Sequence, residues 1–470
     1  MYTTHTYTDW LEATTEEARR ELLLDIVRKY KASEDFRKAL DANAYFAGDN
    51  IAVGGKVMLK PVAVEGKDPA TGVKRKRTQM QEIVGNRVRS NFFFRFVVQQ
   101  NQYLLGNGVT LDSPESKEKL GPGFDKALEY AGEKALLHGV SWLYYNGGHV
   151  EVLPAASDSR SGCVALLDER TGEPALLVQF WQLPGKQRPL HMRLFEADGV
   201  TEYREHNGAV ELIAPKRAYL TTTSRDAAGE WVSGAANYGR LPLVPLYSSA
   251  ERTSELTPSI RSKIDLYDRI LSDFGDNLDR ANDVYWVLNN FGGTTSDIVD
   301  MLEQINKIKA VVNISDGTGA ASTATPASFE VPHEARRVAL ELLKKELYAD
   351  YMALDMDALT GGSLTNVAIQ AATVNLNLKC DRFEWQCFAA VQQLLVLAGV
   401  QTEEIRFIRQ TITNRSETVQ DIALMRDYID QETALKLNPY IMPEEVPEIL
   451  ERATLESMTG DPTFGGGGDA

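Results

Sequence analysis

The densest run of side chains able to do chemistry is a row of carboxylates, Asp265, Asp268, Asp273, Asp276 and Asp279, inside LTPSIRSKIDLYDRILSDFGDNLDRA. Aspartates on one helix can hold divalent metal ions for phosphodiester cleavage, provided they stand clustered and unneutralised. Here Arg261, Lys263, Arg269 and Arg280 are interleaved with them, so the row reads as a solvated or inter-subunit ion-pair face. Other reaction centres leave no trace. GxxxxGK[ST] does not occur, and Gly106 and Gly108 have Leu111 where a third glycine would complete GxGxxG. GxSxG, HExxH and EF-hand patterns are likewise missing. Cys163, Cys380 and Cys387 lack CxxC spacing; the last two lie seven apart on one helical face and read as free, buried thiols. The histidines are scattered singly, so no metal site, cofactor or catalytic residue is expected.

The totals fit that chemical silence. Lys plus Arg is 50 against 66 for Asp plus Glu, a net charge of −16 over 470 residues. Phosphate binding is driven by Lys and Arg, so this balance excludes a protein that grips nucleic acid over its whole surface. It is compatible with one past which DNA must slide without sticking. Apolar residues at 43% and charged residues at 25% are ordinary for a folded soluble chain of about two to four domains, or one elongated subunit. MYTTHTYTDWLEATTEE has neither a basic nor an apolar leader region, and no apolar run approaches the ~18 residues of a membrane span. Synthesis in the cytosol, without membrane association, is the expectation.

Pattern and punctuation then place the elements. Leu22, Ile26 and Tyr30 repeat at spacing four behind a Thr14-Thr15-Glu16-Glu17 start. GGKVMLKPVAVEGKDPATGVKRKRTQ is a basic island holding Lys56, Lys60, Lys67, Lys74, Arg75, Lys76 and Arg77. It reads as a solvated hairpin, or as an arm that touches a neighbouring subunit or DNA. NFFFRFVVQQNQYLL is an amphipathic helix closed by Gly106-Asn107-Gly108, with VTL beginning a strand. Phe124–Leu137 is a second helix, SWLYYNGGHVEVLPA a hairpin, and residues 160–248 continue as short strands between Asp/Gly turns.

Leu256–Ala281 is the strongest helical pattern, apolar at steps of three and four and, at 1.5 Å per residue, roughly 39 Å long. VYWVLNNF, TTSDIVDMLEQINKIK and AVVNIS then read as strand, helix and strand, followed by the irregular run DGTGAASTATPAS. A second long helix from Val331-Pro332 carries Leu340, Leu343, Leu347, Tyr351 and Leu354, and stops at Asp355-Met356-Asp357. DALTGGSLTNVAIQAATVNLNLK is a glycine hinge opening a third long helix. One apolar line there runs Val367, Ala371, Val374, Leu378, Trp385, Phe388, Leu395, and another runs Ile369, Leu376, Cys380, Phe383, Cys387, Leu394. Two lines predict packing on two sides. Shorter, more polar helices are expected over Ser416–Lys436 and Pro443–Met458, before a flexible FGGGGDA tail.

Two long helices around a small insert, then a hinge and a third long helix, resemble the order of elements in portal proteins of long-tailed bacteriophages. Five stretches carry the resemblance in that order: NRVRSNFFFRFVVQQNQYLLGNGVTL, EKALLHGVSWLYYNGGHVEVLPA, LPLVPLYSSAERTSELTPSIRSKIDLYDRILSDFGDNLD, LDMDALTGGSLTNVAIQAATVNLNLKCDRFE and DQETALKLNPYIMPEEVPEILERATLE. They span about residues 36–457. Two features depart from the family pattern: SLTNVAIQ replaces the frequent lysine-bearing pattern after the hinge, and the basic island does not map onto it.

What the resemblance implies is an α+β, mainly helical portal fold with wing, stem, clip and crown. It places the wing at 1–255, one stem helix at 256–284, the clip at 285–330 and a second stem helix at 331–354. A tunnel loop at 355–365 follows, then a long helix joining wing to crown at 366–400, the crown at 401–458 and the tail at 459–470. Subunits of such a family form a dodecameric ring at the capsid vertex, assembled in the host cytoplasm, through which double-stranded DNA is packaged and ejected. On that resemblance the tunnel loop (Asp355, Asp357, Thr360, Gly361, Gly362, Ser363, Leu364, Thr365) faces the DNA without sequence specificity. The clip (Tyr285, Trp286, Asn289, Asn290, Phe291, Asp297, Asn313) docks terminase and then a head-completion or adaptor protein, while other contacts are with major capsid and scaffold proteins. Two alternatives are another head component, minor or scaffold, and a metal-dependent phage nuclease.

Overall fold

In the computed structural model, two of the first three helices begin where the sequence supplies an acceptor side chain. After α1 (Tyr7–Glu12), the Thr15 hydroxyl accepts the Ala18 N–H at 3.2 Å to open α2 (Glu16–Ala32). Ser33 does the same for Phe36 at α3 (Glu34–Phe46). The structure describes residues 4–67, 74–185, 188–225, 231–281, 285–289, 323–327, 333–359, 365–401, 404–410, 415–441 and 445–459. The basic island forms an antiparallel pair, β1 (Val57–Lys67) and β2 (Lys74–Val84), in register from Val57↔Val84 to Lys67↔Lys74. There follow α4 (Phe92–Leu105), β3 (Val109–Leu111), α5 (Pro114–Glu118) and α6 (Phe124–His138).

A strand-rich part comes next. β4 (Val140–Tyr145), β5 (Val150–Pro154), β6 (Ala156–Asp158), β7 (Ser161–Leu167), β8 (Pro174–Gln182), β9 (Leu190–Glu196), β10 (Gly199–His206) and β11 (Ala209–Arg217) lead to β12 (Leu220–Arg225), β13 (Trp231–Ala236) and β14 (Leu243–Tyr247). Strands β6 to β11 make one six-stranded antiparallel meander with neighbours in chain order. Short turns enforce that order: between His206 and its partner Ala209 only Asn207 and Gly208 intervene, with φ of 53° and 86°, the positive pair that a tight hairpin demands. β14 joins β4 and β5 as a three-stranded sheet.

The long helices are α7 (Pro258–Ala281), α8 (His333–Tyr351) and α9 (Asn366–Leu397), with β15 (Tyr285–Asn289) and β16 (Thr323–Ala327) between the first two. β17 (Ile405–Phe407), α10 (Arg415–Leu424), α11 (Gln431–Leu437) and α12 (Val446–Thr459) complete the chain. One apolar core joins α4, α6, α7, α8 and α9, and a second lies between α2, α3 and the strand-rich part. Cys163, Cys380 and Cys387 are free thiols inside these cores. The α+β reading therefore holds, with differences in detail. α7 starts at Pro258, two residues late, and the polar segment 416–436 divides into α10 and α11. Thr323–Ala327, expected to be irregular, pairs with Tyr285–Asn289; its threonines favour a strand, and Pro326 is tolerated in a sheet that has two strands among the described residues.

The aspartate row is not the solvated face expected from its charges. α7 and α8 run antiparallel, with the Lys263 ammonium 2.8 Å from Asp350 and 3.0 Å from Glu346, and Arg336 donating to the Asp273 carbonyl at 3.2 Å. The aspartates instead hold the segment on either side of the β1–β2 arm. Asp265 accepts from the Tyr45 hydroxyl, and buried Asp268 accepts from the Ser90 N–H at 2.8 Å and from the Asn50 amide. Ser272 accepts from the Val88 N–H at 3.0 Å, Asp276 from the Asn86 N–H at 2.7 Å, and Asp279 from the Asn86 side chain at 2.7 Å. Residues 265, 268, 272, 276 and 279 fall at steps of three and four, so they share one side of α7. Gly85 and Gly275 permit the approach: a Cβ on either would meet Asp276 or Asn86 at 3.2 Å.

Lys56, at the other foot of the arm, sits 2.6 Å from Asp276 and 2.8 Å from Asp273. Burial pushes the Asp276 carboxyl up, but Lys56 and the Asn86 N–H together outweigh it and hold it below the usual carboxylate range. A depressed carboxylate stabilises the fold above its unfolded value and loses that contribution as pH falls through its folded value. Wild-type stability should therefore decline on acidification below about pH 4. Asp276→Ala, costing about 1–3 kcal/mol at neutral pH, should lack that part of the decline. Denaturant titrations at a series of pH values check this; parallel acid profiles for the two chains would refute it.

Candidate functional site

The stretch expected to face a channel begins where α8 ends, and α8 ends in a clamp. Tyr351 is buried and stacks on Phe96 of α4, ring centroids 4.6 Å apart. Its hydroxyl donates to Gln100 at 3.0 Å. Beyond it Met352 turns with φ 62°, and Leu354 is gripped twice by Gln99, which accepts its N–H at 2.9 Å and donates to its carbonyl at 3.0 Å. A side-chain amide thus stands in for a neighbouring strand. From the other side comes Lys379 of α9. Its ammonium donates to the Tyr351 carbonyl at 2.9 Å, lies 3.2 Å from the Tyr351 ring centroid and pairs with Glu255 at 2.7 Å. Burial pulls the Lys379 ammonium below the ordinary lysine value, and Glu255 offsets part of that.

Past the clamp the chain is polar. Asp355 lies 3.8 Å from Lys344 and accepts the Asp357 N–H at 3.2 Å, while Asp357 itself pairs with Lys344, which lowers its pKa. Met356–Leu359 form a single tight turn. An open cleft of about 230 Å³ lies here, lined by Arg95, Phe96, Gln99, Tyr348, Leu354 and residues 355–357. Thr360, Gly361, Gly362, Ser363 and Leu364 lie outside the described residues. Thr365 reappears as the expected cap, its hydroxyl accepting the Ala368 N–H at 3.2 Å. The Asn366 N–H donates to Glu417 at 2.6 Å and its amide to Thr418, fastening the start of α9 to α10. Asp355, Asp357 and Thr365 therefore stand at the two fixed ends of the segment.

At the other expected site, Tyr285, Trp286 and Asn289 are residues of β15, whose partner strand closes the insert. Asn290, Phe291, Asp297 and Asn313 lie outside the described residues. Among the described residues no group of His, Cys, Asp and Glu is arranged to hold a metal ion, and no helix is long and apolar enough to cross a membrane.

Reading the sequence missed Gln99, Gln100, Glu255, Lys344 and Lys379. Only Lys379 leaves a signal, a lysine beside Cys380 on an otherwise apolar line. The two apolar lines of α9 also have different fates. Ile369, Leu376, Cys380, Phe383, Cys387 and Leu394 are buried; of the other line, Val367 (72%), Val374 (48%), Leu378 (52%) and Trp385 (71%) are exposed, while Phe388 packs against the core and Leu395 is buried. Packing on both sides therefore holds only towards the end of α9, and the line from Val367 to Trp385 stays uncovered.

Removing one member of a buried ion pair strands the other. Lys379→Met should cost about 3–5 kcal/mol, and adding Glu255→Gln should restore part of it, the Tyr351 carbonyl still lacking its donor. Urea midpoints of the two single variants and the double variant measure this. Additive losses would show that the pair is not coupled.

A family model described as phage portal protein, SPP1 Gp6-like, matches residues 29–457. The portal protein of Clostridium phage phiCD119 is 26% identical over 186 residues, which are 39% of this chain and 41% of that relative, so the alignment spans less than half of its length. Among solved structures, a chain in the neck of the native GTA particle with C12 symmetry is 12% identical, with 75% of this chain and 90% of that one covered and a TM-score of 0.39. The corresponding values for the neck of the empty GTA particle with C6 symmetry are 11%, 75%, 91% and 0.42. With the family pattern matched from α2 into α12, across both the clamp and the long helices, the chain belongs to the SPP1 Gp6-like phage portal protein family.

Proposed function

We propose that the chain is the subunit of a ring, most simply dodecameric, that forms the channel at a phage capsid vertex through which double-stranded DNA enters and leaves. The observation that carries the ring is the exposed line Val367, Val374, Leu378 and Trp385 on the longest helix. An apolar stripe of this length on a subunit of a portal family is best covered by a second copy. In this reading residues 1–255 are the wing, α7 and α8 the stem, 285–330 the clip, 355–365 the tunnel loop, and 401–458 the crown. The tunnel loop lines the narrowest point of the channel. Terminase docks on the clip during packaging and an adaptor protein afterwards, and major capsid protein surrounds the ring in the virion. An acidic subunit suits a passage through which phosphates must move without being held. The aspartates of α7 are occupied by N–H, hydroxyl and ammonium partners, which speaks against the nuclease alternative.

One set of variants tests the reading. Native mass spectrometry of the wild type should give a ring near 630 kDa, roughly twelve times 52.2 kDa. Trp385→Glu should leave a folded monomer, since a half-exposed stripe tolerates charge in the subunit but not in a packed interface. Lys at Gly362 or Ser363 should leave the ring intact but slow DNA passage, with a salt-sensitive stall from each new phosphate contact. Deleting 285–328 should spare the wing and abolish capture of terminase. A monomer at every concentration defeats the ring; normal packaging at low salt by intact Lys-bearing rings defeats the loop's placement.

A further inference from the structure

The β1–β2 arm is the longest strand pair among the described residues, and it is paired there only with itself. Among the described residues its sheet contains only its own two strands, so each strand has an unpaired edge along 11 residues, about 35 Å. A lone two-stranded ribbon is marginal in water. Its feet are fixed, one by Lys56 on Asp273 and Asp276, the other by Asn86 on Asp276 and Asp279. Yet Val57 and Val84, the pair just above those feet, are 52% and 68% exposed.

The register sorts the composition along its length. Near the feet three register pairs are apolar on both strands, Val57↔Val84, Met58↔Ile83 and Pro61↔Met80, with Leu59↔Glu82 and Lys60↔Gln81 interspersed. Towards the far end the pairs become cationic: Val64↔Arg77, Glu65↔Lys76, Gly66↔Arg75, Lys67↔Lys74. A nucleic acid would satisfy the cations but neither the apolar pairs nor the open strand edges. A protein surface satisfies all three. Residues 57–84 carry six Lys/Arg against Glu65, Asp68 and Glu82, a net +3, so the rest of the −16 chain carries −19. Any second copy therefore presents a strongly acidic body to the arm.

We propose that the β1–β2 arm is an inter-subunit strap. Its apolar lower half lies on a neighbouring copy and its Lys74–Arg77 end on that copy's acidic surface. The inference rests on the ring reading above and adds to it the surface that ties one subunit to the next. Charge complementarity of this kind fixes register and weakens with salt.

The test uses full-length rings assembled from an equal mixture of isotopically light and heavy subunits. A zero-length carbodiimide cross-linker should join Lys74 or Lys76 of one isotope to Asp or Glu of the other. Replacing Lys74, Arg75, Lys76 and Arg77 by Glu should reduce roughly twofold the salt concentration at which rings half-dissociate. Replacing the same four by Gln should give an intermediate value and guards against a folding defect, which circular dichroism of the monomer would reveal. Rings in which those lysines cross-link only within one isotope, or in which all three chains dissociate at the same salt, overturn the strap while leaving the ring standing. So does a Glu variant that loses retention of DNA fragments at unchanged ring stability. A chain that never assembles overturns the ring reading, and the strap with it.

Discussion

A helix that stops inside a packed core leaves carbonyls and N–H groups that water cannot reach, and each must find a partner. In this subunit that constraint falls on the end of α8. Tyr351 and Leu354 are buried there, and their backbone groups are met by Lys379 and Gln99, reaching in from α9 and α4. Three helices far apart in sequence are thereby locked at one point. The chain leaving that point starts from a fixed place, and the Thr365 cap with the Asn366–Glu417 bond fixes its return. In the channel reading, the two anchors tie both ends of the segment that meets DNA to the frame that holds the ring.

The same reasoning accounts for the aspartates of α7. A carboxylate accepting backbone N–H groups acts as a docking strip: Ser90, Val88 and Asn86 each find an acceptor on one side of the helix, and the segment is laid down along it like an extra strand. Asp268 shows the cost. Burial pushes its carboxyl up in pKa, and the donors from Asn50 and Ser90 recover only part of that. Its retention inside the structure makes sense because the alternative would leave those donors unsatisfied.

How far the sequence could be read follows from the range of the interactions. Local rules carried well. Thr365 caps α9, Ser33 and Thr15 start helices, the NGG turn closes β4 on β5, and the cysteines are buried. The order of long helices and insert was enough to suggest the family before any geometry was known. The clamp was not legible, because Gln99 lies 255 residues from Leu354 and nothing in either neighbourhood marks the other. The aspartate row misled for a different reason. Its charges were weighed without Ser272, the residue that completes a polar line at the same three-and-four spacing as an apolar seam. Polarity alone does not make a face solvated; periodic polarity opposite a segment rich in N–H groups is an interface.

The exposed features of the subunit become consistent once they are taken together. A stripe with Trp385 at 71% exposure and a ribbon with two open edges among the described residues are each unfavourable in an isolated chain. Neighbours in a closed ring can cover the stripe and the edges, because in such a ring every copy both gives and receives the same contact. Net charge works in the other direction, since like-charged copies repel. Apolar stripes must overcome that repulsion, and a cationic arm reaching onto the next acidic body reduces it locally without adding fixed cations to the passage itself. In the ring reading the composition divides by place, with positive charge on the arm that reaches the next subunit and a negative balance elsewhere, an arrangement suited to a ring around a moving polyanion.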